Sequence, residues 1–131
     1  MKKHIEVVAA IIIANDKFLC VQRGPNKFEY IAYKYEFPGG KVEDYETEKE
    51  ALIREIQEEL SLTIEVGEKF IIVDHDYPDF SISMHTYHCV SETRDIILNE
   101  HIDYKWLAIS DLKVLEWAAA DIPIVNKLRG Q

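Results

Sequence analysis

The stretch from Thr47 to Leu60 constrains the fold more than any other part of the sequence. Thr47-Glu48-Lys49-Glu50 has the form of a capping box, with Thr47 as N-cap and Glu50 at the third helical position. The spacing predicts a helix from about Glu48 to Leu60. Ala51, Leu52, Ile56 and Leu60 give it an apolar stripe that must be buried. Glu55, Glu58 and Glu59 fall three and four residues apart, so they share one face beside that stripe. Like charges at that spacing disfavour a helix by about 0.2–0.5 kcal/mol per pair. A divalent cation would turn the repulsion into ligation, and an oxygen-rich set of this kind suits Mg²⁺ or Mn²⁺. A solvated acidic face is the bland alternative for three glutamates taken alone.

The rest of the chain reads as strands around this helix. Residues 4–14 are an apolar, β-branched run, predicted as a strand buried on both faces. Asn15-Asp16 is a turn, and Lys17 to Arg23 is the returning strand. Gly24-Pro25-Asn26 breaks it, and Phe28 to Tyr35 has no period and is predicted as a loop, a candidate flap. Glu36 to Gly40 is a short extended piece ending in a glycine turn. Leu62 to Asp74 and Phe80 to Val90 are two further strands joined by a turn at Asp76 to Asp79. Tyr104 to Ala108 is another, Ser110-Asp111-Leu112 starts a helix, and Asp121-Ile122-Pro123 opens a last helix that Gly130 ends. Strands, a helix, strands and a terminal helix predict an α/β (α+β) fold with a mixed sheet between helices, not an alternating βαβ series.

The length of 131 residues suits one domain spanning 1–131. No apolar run is long enough to cross a membrane, and the glutamate in the first apolar run argues against a signal peptide. Cys20 and Cys89 lie in apolar segments and read as reduced core residues, as expected of a cytoplasmic protein. The formal net charge of −9 argues against tracking long nucleic acid. It leaves open a small polyphosphate bridged by metal ions and a few basic side chains. His75, His85, His88 and His101 match no common zinc spacing, and structural roles are expected for them.

Gly40, Glu46, Arg54, Glu55, Ile56, Glu58, Glu59 and Leu62 fall where the signature of the Nudix hydrolases has them. Average residue usage would place that set at a given position well under about once in a million. The chain therefore resembles a Nudix hydrolase. Ile5 to Ala10, Glu36 to Lys41 and Trp117 to Pro123 extend the likeness to the MutT-like branch, more narrowly to bacterial CTP pyrophosphohydrolases. The family usually has glycine where this chain has Ser61, just past the helix, where a left-handed backbone is expected.

The resemblance implies an α/β/α sandwich and metal-dependent cleavage of a phosphoanhydride, releasing a nucleoside monophosphate and pyrophosphate. It implies Glu55, Glu58, Glu59 and Glu100 as catalytic carboxylates and metal ligands, with the Gly39 carbonyl added to the ligand set. Either Glu55 or Glu100 is then the general base. Glu46 and Arg54 become a supporting ion pair, with a solvated surface charge as the alternative for Arg54. Arg23, Glu36, Phe37, Gly39, Lys41 and Asp121 become substrate contacts: Arg23 and Lys41 for phosphate, Phe37 to stack on a base, Asp121 to read its edge. Plain core packing is the alternative for Phe37, and N-capping of the last helix for Asp121. An ionised aspartate only accepts hydrogen bonds, which suits a base edge presenting donors. A Mg²⁺-dependent nucleoside triphosphate pyrophosphohydrolase favouring (d)CTP or a 5-substituted cytosine is expected. An 8-oxo-dGTP diphosphatase and a non-catalytic nucleotide-binding domain are the alternatives, and the chain is expected as a monomer or homodimer.

Overall fold

β1 (Lys3–Ala14) is the strand on which everything else is built, and the computed structural model describes residues 2–130. Along one edge it pairs in parallel with β6 (Phe80–Val90), from Lys3↔Phe80 to Ile13↔Val90. Its other edge is shared. Near the hairpin it meets β2 (Lys17–Gln22) antiparallel, Ile13↔Phe18, and further back it meets β4 (Gly39–Lys41), Val8↔Gly40. β2 turns away to pair with β3 (Tyr35–Glu36) and β7 (Asp103–Leu107). The sheet thus splays between β1 and β2, and residues 35–41 bridge the gap. β5 (Glu65–Asp76) completes the other side against β6.

Alternation along β1 feeds two cores. Val8, Ala10 and Ile12 pack with Leu52, Ile56 and Leu60 of α1 (Glu48–Leu60). Ala9 and Ile11 pack on the opposite face with Leu112, Trp117 and Ile124. That second face is covered by 3₁₀ turns at Ile109–Val114 and Ala119–Asp121 and by α2 (Ile122–Leu128). The result is a mixed sheet between helices.

Several boundaries differ from the sequence expectation. Tyr35 belongs to β3, not to the preceding loop. β5 starts at Glu65 because Leu62 and Ile64 are buried beneath α1 in the connection, not on the sheet. Ser110 to Leu112 lie in a 3₁₀ turn, in which Leu112 is fully buried, and not in an α-helix. Cys20 and Cys89 are free and buried, and burial pushes both thiols up to about 12.

Candidate functional site

The capping box sets the start of α1 and hence the rotation of its carboxylates. Thr47 Oγ1 accepts from the Glu50 N–H at 3.1 Å, and Glu50 Oε1 accepts from the Thr47 N–H at 2.8 Å. With the apolar stripe against the sheet, the three glutamates take different positions. Glu59 is 5% exposed, whereas the Glu58 side chain is 57% exposed. Glu55 lies against Gly40, which sits in strand β4 and not in the turn expected from sequence: a Cβ there would clash with the Glu55 carboxylate. The three share one side of the helix at different depths, from buried Glu59 to exposed Glu58. Arg54 Nη1 donates to Glu55 Oε1 at 2.9 Å and to Glu58 Oε1 at 3.3 Å, which ties Glu58 to the solvent edge.

Arg54 joins the whole corner. Its Nε donates to Glu46 Oε2 at 3.0 Å, its Nη2 to the Lys41 carbonyl at 3.1 Å, and Glu46 Oε1 accepts from the Glu43 N–H at 2.9 Å. One guanidinium therefore connects the glycine strand, the loop before α1 and the carboxylates themselves.

The helix ends at Ser61, left-handed at φ 52° and ψ 39°, as the family glycine position requires. Its exit is closed by the segment before β7. The Ile97 N–H donates to the Leu60 carbonyl, the Asn99 N–H to that of Glu59, and Asn99 Nδ2 to Glu58 O and Ser61 Oγ. That clamp places Glu100 beside Glu59. Both line a cavity of about 320 Å³ together with Arg23, Glu36, Gly39 and His101.

The donor set fits a divalent cation. Glu59 Oε1 is buried and has no hydrogen-bond partner. Burial, the adjacent Glu55 and the charges of Glu36 and Glu100 push the Glu59 carboxyl far above its ordinary range. A buried acceptor without a partner, amid other carboxylates, is what a cation would satisfy. Glu55, Glu59, Glu100 and the Gly39 carbonyl are the residues that could hold it. Among the described residues no three acidic or histidine side chains are already gathered around one point. Glu58, which shares Arg54 with Glu55, could join them from the solvent edge.

A second, larger cavity of about 810 Å³ adjoins the first through Arg23, Glu36 and Gly39. It lies where β1 and β2 part. Lys41, Phe37 and Asp121 line it, with apolar walls from Ile5, Ile82 and Phe80. Phe37 is 2% exposed and its ring stacks on Trp117 at 4.8 Å, so core packing takes the ring and little of it faces the cavity. Phe28 and Phe80, which sequence reasoning passed over, also line it, their ring centroids 5.8 Å apart in a tilted contact. The loop before β3 does not stand free: Tyr30 Oη donates to Asp79 Oδ2 at 2.7 Å.

Asp121 departs from expectation twice. It makes no side-chain cap to α2; its Oδ1 accepts from the Phe37 N–H at 2.9 Å. It is 4% exposed, and burial with the nearby Glu36 charge pushes its carboxyl well above the ordinary range. Its surroundings favour the neutral carboxylic acid, which both donates and accepts, over the acceptor-only carboxylate inferred from sequence. His101, expected to be structural, lines the smaller cavity and bonds Glu36. Its place directly after Glu100 was the one available signal.

The NUDIX domain family matches residues 3–128. The chain is 35% identical to the CTP pyrophosphohydrolase of Escherichia coli K12 over 124 residues, covering 95% of this chain and 90% of that protein. It is 28% identical to the 8-oxo-dGTP diphosphatase of the same organism, covering 98% of each. Among solved structures, a MutT protein of the Nudix hydrolase family from methicillin-resistant Staphylococcus aureus 252 superposes with a TM-score of 0.75. It is 45% identical, over 99% of this chain and 98% of that one. With the carboxylate helix, the glycine strand and the sheet in the family's arrangement, the chain belongs to the Nudix hydrolases, in their MutT-like branch.

Proposed function

We propose that the protein is a Mg²⁺-dependent nucleoside triphosphate pyrophosphohydrolase, releasing a nucleoside monophosphate and pyrophosphate, with cytosine or 5-substituted cytosine nucleotides favoured. One observation carries this reading. A small cavity lined by Glu59 and Glu100 opens, past Arg23, Glu36 and Gly39, into a larger one lined by Asp121. A polyphosphate fits the first and a base the second. Mg²⁺ when bound would supply activation of the attacking water and neutralisation of phosphoryl charge. Glu55 and Glu100 are the candidates to take the proton of that water, and Arg23 and Lys41 to bind phosphate oxygens.

Asp121 supports the choice of base. A neutral carboxyl sets a donor beside an acceptor, matching the N3 acceptor and N4 amino donor of cytosine. An ionised carboxylate would instead match the paired N1–H and N2–H donors of guanine. The 35% identity to a CTP pyrophosphohydrolase supports the same choice. The second reading, an 8-oxo-dGTP diphosphatase, draws on the relatives of that activity.

The test is a panel of triphosphates, including CTP, 5-methyl-dCTP, GTP and 8-oxo-dGTP, incubated with the protein and Mg²⁺ while pyrophosphate is quantified. The highest kcat/KM is expected on a cytosine nucleotide. A maximum on 8-oxo-dGTP selects the second reading. Tight binding without release from any member returns the chain to a nucleotide-binding role.

A further inference from the structure

Arg23, Glu36 and His101 stand in line at the seam between the two cavities. Arg23 Nε donates to Glu36 Oε1 at 2.8 Å, and His101 Nε2 donates to Glu36 Oε2 at 2.9 Å. Both carboxylate oxygens are thus occupied. Glu36 keeps its charge against the pull of burial because His101 and Arg23 lower its pKa. The two Nη groups of Arg23 hydrogen-bond to no described residue, and the side chain lines both cavities.

The His101 side chain is 7% exposed, and its Nδ1 is buried with no partner. An ionised carboxylate only accepts, so the bond to Glu36 requires a proton on Nε2. The ring's one polar contact among the described residues is therefore Glu36, 65 positions away in sequence. Without it Glu36 Oε2, on a side chain only 13% exposed, would be left unpaired, and Oε1 would lose its fixed place under Arg23.

We propose that His101 is a positioning residue for Arg23: by holding Glu36, it fixes the guanidinium so that both Nη groups meet the phosphate chain of a nucleotide spanning the two cavities. The identity of that ligand rests on the pyrophosphohydrolase reading, so the test measures binding apart from turnover.

The α,β-methylene analogues of CTP and GTP, which cannot be cleaved at that bridge, are titrated calorimetrically with Mg²⁺ present. His101→Ala is expected to weaken binding of the better analogue about tenfold, the size of a lost charge-assisted hydrogen bond. His101→Gln, whose amide nitrogen reaches the Nε2 position, restores most of it; His101→Asn, whose nitrogen falls short, does not. In an Arg23→Ala background His101→Ala changes affinity less than about twofold, because the group it positions is gone. A loss of equal size in both backgrounds overturns the proposal, as does an Asn variant that binds as well as Gln. If His101→Ala does not fold, the Gln–Asn contrast decides. Failure of the wild type to bind either analogue overturns both the proposal and the reading beneath it. Binding without pyrophosphate release from any natural triphosphate overturns the reading alone.

Discussion

Asp121 is a carboxyl group whose surroundings disfavour its charge. It is buried, the Glu36 charge is nearby, and among the described residues its one hydrogen bond comes from the Phe37 N–H. Because its folded pKa lies above its unfolded value, its contribution to stability is fully present below about pH 4 and is lost as pH rises through the folded pKa. Asp121→Asn keeps an oxygen for Phe37 and removes the titration. The variant is expected to melt higher than wild type at pH 8, with the gain shrinking towards pH 5; thermal melts at the two values read this directly. The base ratio should respond in parallel. Wild-type kcat/KM for CTP over GTP falls with rising pH as the carboxyl ionises, and the asparagine variant loses that trend while still hydrolysing. An identical slope in both proteins would remove Asp121 from base reading. Sequence alone placed this residue before Ile-Pro and made capping natural. Its true partner lies 84 residues away, beyond any local pattern.

Helix α1 shows what local sequence can and cannot specify. Its limits, Glu48 and Leu60, and its capping box were legible because every interaction that sets them spans four residues or fewer. Which glutamate faces inward was not, because that depends on the approach of Gly40 and on the hold of Arg54 over Glu58. Two predictions belong to this element. Glu59→Gln removes a ligand charge from a buried position and replaces a carboxyl that burial already disfavours. kcat is expected to drop at least about a hundredfold. Melting in EDTA is unchanged or higher, and the rise in Tm that Mg²⁺ gives the wild type disappears. Activity surviving with the Mg²⁺-dependent rise intact would take Glu59 out of the metal site. Ser61→Gly tests the helix end. The left-handed backbone costs serine strain that glycine avoids, against one exposed hydrogen bond from Asn99. A net stabilisation of about 0.5–1 kcal/mol is expected by denaturant melts, with kcat unchanged because the Ile97 and Asn99 backbone contacts remain.

At the scale of the molecule, element order was enough to predict a mixed sheet between helices. The splay between β1 and β2 that opens the cavities was not predictable, since it depends on residues 35–41 bridging two strands that start as a hairpin. The same architecture distributes carboxylates into two groups with opposite responses to pH. Hydrogen bonds from His85 and His4 hold Glu6 low, Arg54 does so for Glu46, and Tyr35 for Asp103; Glu36 is held low by His101 and Arg23 against burial. These groups contribute stability above their unfolded pKa of about 4 and lose it as pH falls through the lower folded values. Asp121 and Glu59 have raised folded pKa values and do the reverse, so their contribution is lost as pH rises. The formal net charge of −9 adds self-repulsion on the same side. Stability in EDTA should therefore peak near about pH 5 and decline in both directions. A cation at Glu59 relieves the buried carboxylate cluster, so Mg²⁺ should extend the maximum to higher pH and leave the acid limb unchanged. Melts from pH 3 to 9, with EDTA and with Mg²⁺, measure both limbs. A flat alkaline limb in EDTA would show that the buried carboxyls ionise in the folded protein as easily as in the unfolded chain, and a Mg²⁺ effect confined to the acid limb would move the cation away from Glu59.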